Sequence, residues 1–187
     1  MTNILRPALS LTVIFSVLTG VAYPLAMTGL SQSLFPNSAN GSMVQVSGKV
    51  IGSFLIGQNF AADTYFHGRP SAAGKDGYDA TASSGSNLGP SSKALIDAVK
   101  QRVADLGGGP VPDDLVLASA SGLDPDISPE GALFQVARVA KARNIDEAKV
   151  KALVMRVVRQ PQFGVLGEPR VNVLGLNLAL DRMTISP

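Results

Sequence analysis

The stretch TYFHGRPSA, Thr64 to Ala72, holds the chain's one histidine, with Arg69 two positions beyond His67 and Ser71 two beyond that. A serine nucleophile needs a base within hydrogen-bond reach and a third group to orient that base, so here His67 would have to be the imidazole. No G-x-S-x-G elbow accompanies it. Ser71 or Ser84 with Lys75 would form a serine–lysine pair, but their spacing follows no recognisable pattern. The run Gly107-Gly108-Gly109 lacks the lysine and hydroxyl residue of a phosphate loop and reads as a helix stop. Asp124 and Asp126 supply fewer oxygens than a calcium loop, and the prolines around them favour a turn. Cysteine is absent, which removes thiolate nucleophiles, disulfides, cysteine zinc sites and the acylated cysteine of a lipoprotein. These residues therefore predict no catalytic centre and no metal site. With 16 Lys and Arg against 14 Asp and Glu, the chain has no broad basic face for nucleic acid.

Any site in the chain depends on what holds it, and the first element is the plainest. Ala8 to Leu30 contains no ionisable group except the Tyr23 phenol. As a helix rising ~1.5 Å per residue it spans roughly 30 Å or slightly more, the thickness of a bilayer's hydrocarbon core. Arg6 and the terminal amine precede it, while Ser31 to Gly48 carries no charge, so the basic flank is expected to stay in the cytoplasm. A cleaved signal peptide is the rival, since its apolar part needs only about 7–15 residues; the length favours a retained span. The expected organisation is a cytoplasmic segment 1–7, a transmembrane helix 8–30, a connector 31–41 and an extracytoplasmic domain 42–187. Ala8, Thr12, Ser16 and Gly20 recur every fourth residue and form a narrow strip on which a partner helix could pack closely in lipid. Pro24, without an amide hydrogen, is expected to kink or end the helix near the outer surface.

The domain reads as α+β, with a small antiparallel sheet and several helices. MVQVSGKVIGSFLIG is strand, Ser47-Gly48 turn and strand, and Gly52 and Gly57 mark bulges or close backbone approach. From Ala61 to Pro90 no period is legible, and a loop this long is functional or disordered unless Asx and Ser/Thr turns tie it together. Helices are expected after Ser91/Ser92 to Leu106, from the Ser128-Pro129-Glu130 cap to about Arg143, and from the Asp146 cap to about Arg159, where Ile145 and Val150 form a hydrophobic staple. The end of the chain is ambiguous: Leu174 to Leu180 alternates as a strand does, while Asn172 could cap a helix burying Val173, Leu176 and Leu180, and the reading leans to helix. The bases Arg138, Lys141, Arg143, Lys149, Lys151, Arg156 and Arg159 sit among acids and read as a solvated face.

The blocks YFHGRPSAAG, SSGSNLGPSS, ASASGLDPDISPEGA, QVARVAKARN and GEPRVNVLGLNLAL, in this order behind one spanning helix, resemble the KdpC family, the C subunits of the bacterial Kdp potassium-transporting ATPase. The resemblance runs almost end to end. It departs from the family at Ala137, where proline is frequent, and at Asp126. It implies a small accessory subunit of the inner membrane, assembling with a potassium-conducting subunit, a P-type ATP-hydrolysing subunit and a tiny accessory peptide. ATP and potassium are used by that complex, and the phosphorylated D-K-T-G-T aspartate of its hydrolysing subunit is absent from this chain. The family is described as a catalytic chaperone that raises ATP affinity, with the region of Gln135 as a nucleotide contact. The charge pattern puts Gln135 outside the cell, opposite cytoplasmic ATP, so an assembly clamp acting indirectly is the physical alternative. His67, Arg69, Ser71 and Asn87 are then expected in a docking loop near the potassium entrance. A membrane-anchored binding module and a serine hydrolase are the readings from other classes.

Overall fold

The computed structural model describes residues 2–185; Met1, Ser186 and Pro187, at the ends of the expected segments, lie outside the described residues. The chain divides into two compact units, Met1–Met43 and Val44–Pro187. The first is helical. α1 (Thr2–Val17) passes through a π turn at Leu18–Ala22 into α2 (Tyr23–Leu34), and one further turn, α3 (Pro36–Ala39), follows. Ile4–Leu34 is long and apolar enough to cross a membrane. Of the two outcomes expected at Pro24, the helix does not end there: the π turn before it widens the ladder, with Tyr23 N–H donating to Leu18 O, and sets the proline at the first turn of α2. Thr19 returns its hydroxyl to the Phe15 carbonyl at 2.7 Å, which satisfies it without water. The connector is accordingly shorter than expected, since helix continues to Leu34.

The second unit is α+β. β1 (Met43–Val46) and β2 (Lys49–Ser53) pair across Ser47 and Gly48, whose φ values of 51° and 76° are those of a tight two-residue hairpin turn. Gly57 marks a close approach, because a Cβ there would lie 2.6 Å from the Asp124 carbonyl oxygen. α4 (Lys93–Asp105) stops at Gly107, with φ 94°. β3 (Asp126–Ile127) pairs antiparallel with β4 (Val171–Asn172), in the register Asp126 with Asn172 and Ile127 with Val171.

The helix expected from Ser128 to Arg143 is two helices, α5 (Pro129–Phe134) and α6 (Val136–Arg143). At Gln135 the backbone tightens, its N–H donating to Ala132 O, three residues back, and the axis breaks. The Ser128 hydroxyl caps α5 by accepting from Gly131 N–H, and Asp146 caps α7 (Glu147–Val157) by accepting from Ala148 N–H. α7 ends two residues before Arg159, where the backbone turns extended and pairs with Arg170. The last element is helix, α8 (Val173–Ile185), and Asn172 caps it as expected, Oδ1 accepting from Gly175 N–H at 3.0 Å. Val139, Val150, Leu153, Val154, Val171, Leu176 and Leu180 form the core between α6, α7, α8 and β4, closed by Phe66 from the irregular segment.

Candidate functional site

Residues 54–92 contain no helix or strand, and their buried backbone groups still require partners. Three carboxamides, on α8, on β4 and between α5 and α6, supply many of them. Asn177, 2% exposed in α8, accepts from Phe66 N–H at 2.8 Å and donates to Phe66 O at 3.0 Å, copying a strand's pairing with one side chain. Gln135, 3% exposed, accepts from His67 N–H at 2.8 Å and returns its amide to His67 O at 3.1 Å. Asn172 donates to Phe54 O at 3.1 Å and to Asp126 Oδ1 at 2.9 Å.

Arginines complete the attachment. Arg138 donates to Asp63 O, Tyr65 O and Gln135 Oε1. Arg143 donates to Thr64 O, pairs with Asp181 at 2.7 Å and lies over the Tyr65 ring at 4.7 Å, a charge-assisted and cation–π contact together. These two therefore do not belong to the solvated face expected of the basic residues; Lys141, Lys149, Lys151, Arg156 and Arg159 are exposed. The reason is distance along the chain, because the carbonyls that draw them inward lie more than seventy positions away.

Inside this frame His67, Arg69 and Gln135 come together, lining a cavity of about 330 Å³ with Phe60, Tyr78 and Arg102. Each is held by the fold. Gln135 uses both amide hydrogens, on His67 O and Gly131 O, and its oxygen accepts from His67 N–H and Arg138. That fills the hydrogen-bonding capacity of a carboxamide. Arg69 pairs with Asp124 at 3.2 Å, and its carbonyl accepts the Tyr78 hydroxyl, whose pKa burial and the Asp124 charge push up to about 12. Ser71 does not line the cavity; it donates to Gly122 O at 2.6 Å and accepts from Tyr78 N–H at 2.7 Å and Ala73 N–H at 3.2 Å. These Ser/Thr-type ties, with Asp79 accepting from Thr81 N–H, are the turn chemistry expected of the segment. Asn87 is exposed with φ 54° and does not line the cavity. Ala8, Thr12 and Ser16 lie exposed on α1 of the other unit, whereas Gly20 falls within the π turn, where the wider pattern no longer returns every fourth residue to one face. Asp124 and Asp126 face arginines, the second meeting Arg170 at 3.0 Å.

Two outcomes follow from this geometry. The His67 ring has Nε2 3.2 Å from Ala62 O, and burial, followed by the Arg138 charge, lowers its pKa below the ordinary histidine value. A histidine with a depressed folded pKa binds its proton more readily in the unfolded chain, so its stability contribution is full above about pH 6.5 and is lost as pH falls toward the folded value. Thermal melts from pH 8 down to pH 5 should show this loss, and His67→Gln should flatten that part of the profile. Alanine at Arg69 removes the Asp124 pair and the bond to Leu117 O, both made inside the fold. It should cost about 1–2 kcal/mol in a melt. Asp124→Asn in the same background should add little, because the pair is already broken.

The protein this defines has, among the described residues, one candidate membrane-spanning helix, and an α+β unit whose best-placed polar side chains secure an irregular segment over a small core. The family model described as K+-transporting ATPase, c chain, KdpC, matches residues 5–182, and the chain belongs to this family. A protein of Variovorax paradoxus named potassium-transporting ATPase KdpC subunit is 57% identical over 187 residues, covering 97% of this chain and 97% of that protein. Proteins of the same name from Gemmatimonas aurantiaca and Dechloromonas aromatica are 56% and 54% identical, covering 96% and 98% of this chain and 93% and 100% of theirs.

Proposed function

We propose that the chain is an accessory, non-catalytic subunit of an ATP-driven potassium import complex, and that it works by presenting the ordered segment 54–92 as an assembly clamp. The observation that carries this is the engagement of His67, Arg69, Ser71 and Gln135 in holding that segment. A catalytic base or nucleophile has to reach a substrate, whereas here the His67 ring meets Ala62 O, Arg69 meets Asp124 and Leu117 O, Ser71 meets Gly122 O and Gln135 meets the His67 backbone. The partners are the potassium-conducting subunit, the P-type ATP-hydrolysing subunit and the small accessory peptide of such a complex. The N-terminus is cytoplasmic and the α+β unit lies outside, in keeping with Arg6 before the span and the charge-free stretch after it. Any effect on ATP affinity is then transmitted through assembly, with Gln135 as a structural tie rather than a nucleotide contact.

Affinity purification of the tagged chain from membranes should retain the conducting and hydrolysing subunits, and Arg69→Ala should lower their yield by more than the loss of folded chain explains. A periplasmically active reporter fused after Pro187 should be active. A fusion active only in the cytoplasm would overturn the topology, and a chain recovered alone from native membranes would overturn the subunit role.

A further inference from the structure

Beyond α7 the chain forms a narrow hairpin that the core does not use. Arg159 and Arg170 exchange both backbone hydrogen bonds, at 2.8 and 3.0 Å, and Gln162 and Leu166 do the same at 2.9 Å each. At the end of this ladder Phe163 is 91% exposed, Val165 79% and Leu166 57%. Single exposed apolar residues are ordinary, but three within four positions at one turn form an exposed apolar tip. Phe163 has φ 56°, a region that bulky residues seldom adopt and that Gly or Asn would occupy at lower cost. The turn thus carries an aromatic ring into solvent where a turn-forming residue would close it more easily.

The charges around the tip select its occupant. Gln160 to Gly167 contains no ionisable group. Behind it Arg156 and Arg159 are exposed, with Lys149 and Lys151 further back on α7, while Arg170 is committed to Asp126 and Glu168 is the one acid of the returning arm. An apolar end backed by cations is the pattern of a segment that enters a bilayer interface, with side chains among the acyl carbons and cations at anionic headgroups. The chain also carries a helix long and apolar enough to cross a membrane, so a bilayer is the apolar phase that accompanies it. We propose that the tip Gln162–Leu166 is a lipid-contacting finger, seated in the headgroup layer of an anionic membrane by Phe163, Val165 and Leu166 and retained there by Arg156 and Arg159. The inference stands on the hairpin and the candidate span, and does not require the clamp reading.

The chain has no cysteine, so Val165→Cys gives a single site for a nitroxide label, with Lys100→Cys on the exposed face of α4 as the aqueous control. The full chain is reconstituted alone into vesicles of phosphatidylcholine with phosphatidylglycerol, and of phosphatidylcholine only. In the anionic vesicles the label at position 165 should lose accessibility to a water-soluble nickel chelate by about tenfold relative to the control, and gain accessibility to oxygen. Arg156→Gln with Arg159→Gln should shift the balance back toward the aqueous position by roughly thirtyfold, the effect of two cations at an anionic surface. The unlabelled Phe163→Ser chain should melt unchanged, since the tip packs on nothing. A label open to nickel in both vesicles overturns the proposal. So does protection that appears only when co-purified subunits are reconstituted with the chain, which would assign the tip to a protein pocket.

Discussion

Alanine at position 135 is expected to lower the melting temperature of the chain and its yield in any assembled complex, while the ATP affinity of each complex that does form stays at the wild-type value. The Gln135 amide sits 3% exposed and makes four hydrogen bonds, to His67 N–H, His67 O, Gly131 O and Arg138. Truncation strands both backbone groups of His67 away from water, and orphaned buried groups cost about 1–3 kcal/mol each, so a loss of roughly 2–4 kcal/mol is expected. For a chain of this length that is about 5–15 °C. The assembly yield falls with it, because Gln135 holds the His67 backbone, which belongs to the segment 54–92 read as the clamp. ATP affinity separates this reading from a nucleotide contact. Loss of affinity in complexes of normal stoichiometry, with an unchanged melt, would return Gln135 to the nucleotide; a lower melt with unchanged affinity retains it as a tie. Gln135→Glu keeps the shape and removes the donors to His67 O and Gly131 O, so it should melt nearer to alanine than to wild type.

What could be read from the sequence follows how far each signal travels along the chain. Ser128, Asp146 and Ser47-Gly48 act on neighbours within three residues, and the structure uses each as cap or turn. The break at Gln135 is not legible locally, since Gly131, the poor helix former in EGALFQVAR, stands four residues before it; the break accompanies a side chain facing His67, 68 positions away. Arg138 and Arg143 leave the expected solvated face for the same reason, being drawn inward by carbonyls of 63–65 that local patterning does not reveal. The long segment is legible as irregular, with Asx and Ser/Thr turns as one way to order it, and such turns occur, but its order comes mostly from groups distant in sequence. One of those left a trace. In VNVLGLNLAL, Asn177 falls on the stripe of Val173, Leu176 and Leu180 that was expected to be buried, and a carboxamide on an apolar stripe needs a partner.

That partner defines the second large effect, expected for Asn177→Ala. Phe66 is fully buried in the core cluster, yet it belongs to a segment with no regular structure, and its N–H and C=O are both satisfied by Asn177 at 2.8 and 3.0 Å. Removing the carboxamide orphans both groups together and leaves a void beside Leu176 and Leu180, for a combined loss of about 3–5 kcal/mol. Asn177→Leu restores apolar volume without either hydrogen bond, and so separates the two terms: a melt close to alanine's assigns the cost to the stranded peptide groups, and a melt close to wild type assigns it to the void. The first result is expected. Neutral hydrogen bonds each contribute about 1 kcal/mol net, whereas a buried orphan forfeits its full hydration. Hydrogen exchange at Phe66 should then accelerate more than exchange at Val139 or Leu153, because the change releases the irregular segment before it loosens α6 and α7. Equal acceleration at all three sites would make Asn177 a packing residue of the helical core and remove it from the attachment of the segment.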